Sequence, residues 1–217
     1  MTFSKVRLRD ANRIYRPQLA THTSHKAMHD EDNLDTKFEV TGHFYELCGY
    51  KFRKYLDIKC SETSKTKPEL MVVMMNPGSS YPLDGIDNNS VPSQAVPDKT
   101  QYQIMKVMNN VSIDYARVLN LSDLRTPSSV DLYKFLNSEE SNLVAHSIFS
   151  RSRSADLKNL FITNVPVIYG WGTNIALAPL ASLAIKCLRV EKPLGMLKPY
   201  TENAYYHPLP RDDGWQR

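Results

Sequence analysis

Short apolar runs that stop at polar side chains recur along the middle of the chain. They are the runs at 70–75, 115–121 and 160–169. The first ends at Asn76, the second delivers Asn120, and the third leads into Trp171 between two glycines. Apolar runs of this length, bounded by Asn, Pro and Gly, are typical of buried strands. We therefore expect strands at these places, with their polar residues at an edge of the sheet where ligands tend to bind.

The remaining pattern adds helices and further strands. Alternating aromatic, β-branched and polar residues over 38–58 predict antiparallel strands at one edge of the sheet, and a further strand is expected near 187–190. Helices are expected after Asp98, at 129–136, 138–149 and 175–185. Strands that alternate with helices predict an α/β fold. The expected fold is a three-layer α/β/α sandwich whose central sheet is mostly parallel, with about four strands plus antiparallel edge strands.

Length and composition bound the organisation of the chain. The 217 residues, 41% of them hydrophobic, suffice for one substantial core. We expect a polar N-terminal arm over 1–36 and a single α/β domain over 37–217. No stretch approaches the roughly 18 apolar residues of a membrane span, and residues 1–9 lack the apolar block of a secretory signal. The expected location is the cytoplasm, without a membrane partner.

Cysteine and histidine usage argues against a metal or cofactor site. Three widely spaced cysteines without a C-x-x-C motif fit neither a disulfide framework nor a four-cysteine zinc or iron-sulfur site. His25 and His29 have the spacing of two ligands on one helix face, but no third ligand is evident. We expect no cofactor and no metal. The sequence does not predict an oligomeric state.

Net charge is compatible with a polyanionic partner without establishing one. The formal charge is +4, and basic residues lie among aromatic ones at 51–55 and near the C-terminus, where Arg211 follows two tyrosines and His207. This pattern suits phosphate contacts beside base stacking. A solvated surface explains it about as well.

Familiar nucleotide and hydrolase motifs are absent from the chain. There is no G-x-G-x-x-G, P-loop, G-x-S-x-G or H-E-x-x-H pattern. Asn76, Asn120 and Trp171 remain as candidates at strand ends, together with the histidine loop at 205–211. Each also has a structural interpretation: the asparagines as turn residues, Trp171 as a core residue, His207 as a surface histidine and Asp98 as a helix cap.

Five short motifs carry a resemblance that covers most of the chain from about Tyr50. In order they are MMNPGSS, PDKT, VLNLSDLRTP, YGWG and YYHPLPR. The order resembles a microbial and phage domain-of-unknown-function family with N-P-S, D-x-T, N-L-x-x-x-R-x-x-x-P, W-G and H-P-L motifs. More remotely, Asn-Pro-Gly followed by His-Pro-x-Pro is similar to the two signature motifs of the uracil-DNA glycosylase superfamily, whose mismatch-specific branch carries N-P-G.

The glycosylase resemblance implies a role for each central residue. His207 would donate a hydrogen bond to the departing base, and Asn120 would read the pyrimidine edge. Asn76 occupies a position that holds a water-activating Asp in some branches, but a carboxamide cannot accept a proton. Asp98 is the first choice for the missing carboxylate, ahead of three other aspartates, Asp84, Asp87 and Asp123. Gly78 replaces a tyrosine that blocks pyrimidine C5 in strict uracil enzymes, so a C5-substituted base is expected to fit.

The resulting expectation is a DNA glycosylase acting on a flipped, C5-substituted or otherwise modified pyrimidine, for example in phage DNA during antiphage defence. The contacts implied with the base come from Pro77, Gly78, Ser79, Asn120 and Trp171, and those with DNA from Arg125, Pro208, Leu209 and Arg211. Two alternatives stay open. One is a noncatalytic nucleic-acid or nucleotide-binding module, and the other is a nucleoside-processing hydrolase.

Overall fold

The computed structural model describes residues 33–209 of the chain. The strands are β1 (Phe38–Leu47), β2 (Tyr50–Cys60), β3 (Leu70–Met74), β4 (Tyr81–Pro82), β5 (Ser93–Val96), β6 (Tyr115–Asn120) and β7 (Val167–Gly170). The helices are α1 (Lys99–Val111), α2 (Ser129–Leu136), α3 (Glu140–Leu143), α4 (Ser154–Leu160) and α5 (Ala178–Leu188). Short 3-10 turns at Arg151–Arg153 and Ile175–Leu177 precede α4 and α5. Within 33–209, no helix combines the length and apolar character needed to cross a membrane.

The predicted N-terminal arm lies almost wholly outside the described residues. Of the range 1–36, the structure describes only 33–36, which belong to a helical turn at 33–37. Leu34 in this turn is buried against the core of the sheet. Within the described residues, packing on the core therefore begins before the boundary expected at residue 37.

The strands form one mixed sheet of seven strands in the order β4-β5-β1-β2-β6-β3-β7. Among the described strands, only β3 is parallel to both of its neighbours, β6 on one side and β7 on the other. The other four pairings are antiparallel. The predicted mostly parallel sheet of about four strands is therefore wrong.

The long hairpin of β1 and β2 accounts for much of this difference. Cys48 and Gly49 both have positive φ, 54° and 77°, as a two-residue type I′ hairpin turn requires. β2 then pairs with β6 along its other side, so the hairpin lies inside the sheet and not at its edge. Antiparallel pairs consequently outnumber parallel ones.

One further expected strand is shorter in the structure, and another is absent from the described residues. The apolar run at 160–169 is not one strand: α4 extends to Leu160, and β7 begins only at Val167 and ends at Gly170. The apolar segment near 187–190 is the end of α5, which Arg189 closes in the left-handed conformation with φ 51°. Short apolar runs do not distinguish a strand from a buried helix end, which explains the error.

Helices cover both faces of the sheet. One face packs on α1 through Ile104, Met105 and Met108. The other face packs on α2 and α5. Along β3, alternate residues enter the two cores, with Val73 on one side and Val72 on the other. This two-sided burial explains why β3 is a continuous apolar run without polar alternation.

The position of β3 defines the part of the sheet where a ligand site is expected. After β3 the chain reaches β6 on one side of it and then crosses to β7 on its other side, and ligands commonly bind where the strand order reverses in this way. Asn120, Met74 and Gly170 lie side by side there, since Met74 is the register partner of both others. We call this region the carboxyl edge.

A segment after α5 returns to β7 and makes a close approach at Gly195. Leu194 N–H donates to Val167 O at 2.7 Å, and Tyr169 N–H donates to Leu194 O at 2.8 Å. Gly195 has a φ of +122°, and a Cβ there would lie 2.2 Å from Tyr169 O. The segment can therefore follow the edge of β7 only with glycine at this position.

Replacing Gly195 with alanine tests this close approach. Gly195→Ala is expected to lower the free energy of unfolding by roughly 3 kcal/mol, since backbone strain and overpacking add. Gly85→Ala is the matched control, because Gly85 also has positive φ, +73°, but nothing lies within 4 Å of its added Cβ. Its expected loss is about 1 kcal/mol. Equal losses in urea unfolding would contradict the close-approach explanation.

Candidate functional site

Asn120 is the central polar residue of the carboxyl edge. It is the last residue of β6 and is fully buried. Its Oδ1 and Nδ2 make no hydrogen bond with any residue of 33–209. It shares the α1 side of the sheet with Ala116 and Val118, which alternate with it along β6. Buried amides are normally hydrogen-bonded, so this side chain needs an explanation.

Arg53 is a second buried polar residue on the same side of the sheet. Its register partner Phe44 belongs to the core beneath α1, and opposite residues of an antiparallel pair share a face. The side chain is 2% exposed, and Nε and Nη1 have no hydrogen-bond partner within the described part of the chain. Burial lowers the pKa of Arg53 to about 10, while the carboxylates of Asp98 and Asp123 act in the opposite direction.

Asp98 begins α1 and has two oxygens in different roles. Oδ1 accepts the N–H groups of Thr100 at 2.9 Å and Gln101 at 3.0 Å, and Gln101 Oε1 accepts Asp98 N–H at 3.1 Å. This reciprocal arrangement is a capping box, and it confirms the predicted cap. Oδ2 faces the Asn-Pro-Gly turn, because it would lie 3.4 Å from a Cβ on Gly78. One oxygen therefore holds the helix, and the other is turned toward the candidate site.

Asn76 ties the end of β3 to the loop after β6. Its Nδ2 donates to Leu124 O at 3.1 Å and to Thr126 O at 2.8 Å. Both amide hydrogens are thereby used, and Oδ1 is directed away from the two carbonyls. An aspartate would instead place an oxygen against these acceptors. The amide is thus required for the loop geometry, which gives a physical reason for asparagine at this position.

The turn at 77–80 borders a pocket of about 290 Å³. Its lining consists of Lys51, Gly78, Ser79, Ser80, Tyr81, Arg125 and Pro127. Gly78 has φ +64° and Ser79 is exposed, whereas Pro77 is buried. Two members of the predicted base-contact set, Gly78 and Ser79, therefore line this pocket, and Pro77 supports the turn from within.

Arg125 holds the turn at 77–80 in place. Its Nε donates to Ser80 O at 2.9 Å, its Nη1 pairs with Asp87, and its guanidinium lies 5.1 Å from the centre of the Phe44 ring. Lys51 contacts the same carboxylate of Asp87 at 3.0 Å. The charge of Arg125 is already paired, so the structure gives this residue a role in holding the turn rather than a free guanidinium for DNA.

The histidine loop reaches the carboxyl edge at β7. A Cβ on Gly170 would lie 3.1 Å from Pro208 Cδ, 3.3 Å from Met74 Sδ and 3.8 Å from Tyr206 O. Residues 206–208 therefore cross the end of β7 beside Met74, the register partner of Asn120. Leu209 N–H donates to His207 Nδ1 at 3.1 Å, and the same ring nitrogen lies 3.2 Å from Leu209 O. Arg211 lies outside the described residues.

Trp171 lies in the core and not beside a ligand site. It is fully buried, and Nε1 donates to Asn203 O at 2.8 Å. Its ring packs on Tyr169 and Tyr205, with centroids at 4.6 Å and 5.2 Å. This cluster includes α2 and α5, on the face opposite the α1 core that Asn120 joins. The predicted stacking of Trp171 on a base is corrected to a core role.

The sequence pattern did not predict that Arg53 is buried. Simple alternation along β2 puts Phe52 on the same face as Leu56 and Ile58, and puts Arg53 on the other. In the structure the register shifts, with Leu56 opposite Gly42 and Arg53 opposite Phe44. This bulge turns Arg53 to the face of Leu56 and moves Phe52 to the opposite core. Its place in a basic cluster was the available signal, but that signal favoured a surface contact.

Removing the unpartnered amide is expected to stabilise the protein. Asn120→Leu keeps the branched shape and removes two unsatisfied polar groups, so the free energy of unfolding is expected to rise by about 1–2 kcal/mol. Asn76→Leu is the matched control, because the same change leaves two carbonyls unpaired and is expected to destabilise by a similar amount. Urea unfolding compares both variants. Marked destabilisation by Asn120→Leu would assign the amide a structural role.

Introducing a carboxylate at Asn76 tests the anchoring role of its amide. Asn76→Asp at pH 7 is expected to lower the free energy of unfolding by roughly 2–4 kcal/mol, since charged oxygen then faces Leu124 O and Thr126 O. Asn142→Asp controls for added charge, because Asn142 is exposed on α3. A stable Asn76→Asp protein in denaturant titration would show that the two hydrogen bonds do not fix this residue.

Comparisons with protein-family models, curated proteins and solved structures find no match for this chain. The case for a function consequently depends on its own residues. The described residues bring Asn76, Asn120 and the histidine loop to the carboxyl ends of three adjacent parallel strands, with Asp98 facing the turn that follows β3.

Proposed function

We propose that this protein is a DNA glycosylase that hydrolyses the N-glycosidic bond of a flipped pyrimidine. The observation that carries the proposal is the buried amide of Asn120, which has no hydrogen-bond partner within 33–209. An amide offers one donor side and one acceptor, which matches the hydrogen-bonding edge of a pyrimidine. Its location at the switch point of the sheet supports a binding role.

The proposed reaction breaks the bond between the base and C1′ of the sugar. Positive charge develops on the sugar and negative charge on the base as they separate. Nε2–H of His207 donates to an oxygen of the departing base and stabilises its charge. This donation uses the neutral tautomer in which Nδ1 accepts Leu209 N–H and Nε2 carries the proton.

Water then adds to C1′ and leaves an abasic site. Oδ1 of Asn76 accepts a hydrogen bond from this water and orients it, because the other side of the amide is fixed by Leu124 and Thr126. Oδ2 of Asp98 accepts the proton that the water loses, and the departing base takes a proton from solvent. Orientation and proton transfer are thus assigned to two different side chains.

The turn after β3 suggests the kind of base. Gly78 has no side chain beyond its backbone, and the neighbouring Ser79 is exposed beside an open pocket. We assign this space to a substituent at pyrimidine C5. Thymine in a mismatch and a hypermodified base of phage DNA are the proposed substrates, the latter in antiphage defence within the cytoplasm.

A noncatalytic binding module is the second candidate. It is favoured by the structural use of Asn76 and of one Asp98 oxygen, which leaves a single carboxylate oxygen for proton transfer. This candidate predicts binding of the same DNA without abasic sites. A nucleoside hydrolase would instead act on free nucleosides with little dependence on salt, whereas DNA binding weakens steeply as salt rises.

The deciding experiment measures abasic sites in oligonucleotides that carry one uracil, one mismatched thymine or one 5-hydroxymethyluracil. We expect strand breaks after alkali with the C5-substituted bases. Asp98→Asn keeps the helix cap and is expected to lower the rate by at least about 100-fold, because proton transfer is lost. Asp131→Asn, an exposed carboxylate of α2, is the matched control.

Three results would count against parts of this proposal. Activity confined to plain uracil would contradict an open C5 pocket. Binding of all three oligonucleotides without any abasic site would favour the noncatalytic module. Equal rates for Asp98→Asn and Asp131→Asn would remove Asp98 from the mechanism.

A further inference from the structure

Arg53 is a buried cation that the proposed reaction does not use. It enters the α1 side of the sheet from β2, the strand that neighbours β6. Its Nε and Nη1 are buried and have no hydrogen-bond partner within 33–209. Arginine can only donate hydrogen bonds, so these groups require an acceptor. Burying a donor without an acceptor costs free energy, so an acceptor supplied by a ligand would explain these groups.

Arg53 and Asn120 lie on the same face of two adjacent strands of the sheet. Arg53 N–H donates to Asp123 O at 2.9 Å, just beyond the end of β6. Both side chains face the core beneath α1, and neither has a partner for its buried polar atoms in the described residues. Two buried polar side chains without hydrogen-bond partners, on adjacent strands, therefore indicate one ligand whose buried part contacts both.

The surrounding charges favour a neutral oxygen over a phosphate. Asp98 and Asp123 are the carboxylates that act on Arg53, and Arg125 is the opposing cation. Asp123 is paired with Arg153, and Arg125 is paired with Asp87. A phosphate beside Arg53 would also experience the negative charge of Asp98. A carbonyl oxygen accepts from the guanidinium without this repulsion.

We infer that Arg53 donates to the C4 carbonyl of the base and makes the site selective for pyrimidine-2,4-diones over 4-aminopyrimidines. The inference rests on the proposed function, since it takes Asn120 as the base-reading residue. The dione edge presents acceptor, donor and acceptor in order. Asn120 and Arg53 together supply donor, acceptor and donor, which complements it.

Asn120 alone does not provide this selectivity. Its amide can rotate by half a turn and exchange donor for acceptor, so it can pair with either type of base. Arg53 cannot make this exchange. A 4-amino group facing Arg53 would leave two donors opposed in a buried position, and such mismatches reject an analogue strongly. The same guanidinium also stabilises negative charge on the base oxygen as the glycosidic bond breaks.

The test uses binding, so that it does not depend on catalysis. Single-stranded oligonucleotides with a cleavage-resistant 2′-fluoroarabino sugar carry either 5-hydroxymethyluracil or 5-hydroxymethylcytosine. Calorimetry with the full chain is expected to show at least tenfold tighter binding of the uracil derivative. Arg53→Met is expected to reduce this preference to threefold or less. Arg151→Met, an exposed arginine with the same change, is expected to keep it.

Each outcome separates the inference from the glycosylase proposal. Preference for the dione without abasic sites on cleavable DNA keeps the inference and rejects catalysis. Abasic sites without a base preference in binding, or an unchanged preference in Arg53→Met, overturn the inference only. If Arg53→Met does not fold, Arg53→Gln replaces it, with the same loss expected because the charge and most donors are gone. Two further results also overturn the inference. One is absence of binding to both probes, and the other is displacement of both probes to the same extent by inorganic phosphate.

Discussion

The two hydrogen bonds from the amide of Asn76 hold the carboxyl edge together. They join the end of β3 to the carbonyls of Leu124 and Thr126, in the loop that leaves β6. Arg125, between those carbonyls, reaches back to Ser80 O in the turn after β3. Each of the two segments therefore donates side-chain hydrogen bonds to main-chain carbonyls of the other. The pocket beside Gly78 is lined by residues of both segments, so this connection sets its shape.

The buried charges are distributed unevenly behind this connection. Asp123 is fully buried, pairs with Arg153 and accepts the Tyr45 hydroxyl at 3.1 Å. Burial raises the pKa of Asp123 to about 6, and Arg153 acts against this rise. Because Asp123 is engaged by Arg153, its charge compensates Arg53 only in part. Arg53 thus keeps buried donors without a hydrogen-bond partner among the described residues, in a region of low polarity where a hydrogen bond to a carbonyl is strengthened.

Local features of the sequence predicted local features of the structure. The apolar run ending at Asn76 predicts β3 because a strand buried on both faces needs apolar residues throughout. Asp98 predicts a helix start because its side chain can accept the first free N–H groups. Nonlocal features were missed. The pairing of β2 with β6 and the bulge that turns Arg53 inward depend on contacts between distant segments. Trp171 was misplaced for another reason, because a tryptophan between two glycines has the same sequence pattern in a core and in a binding site.

In the proposed function, the burial of Asn120 has a consequence for the kinetics of DNA binding. Since neither amide atom is exposed, a ligand can reach them only after the surrounding segments separate. The turn at 77–80 is held by Arg125, while the histidine loop covers the end of β7 through contacts of Pro208 with Gly170. Association is then limited by the population of an opened state, and the apparent dissociation constant is raised in proportion to the rarity of that state. Slow association and slow release are both properties of such an enclosed site.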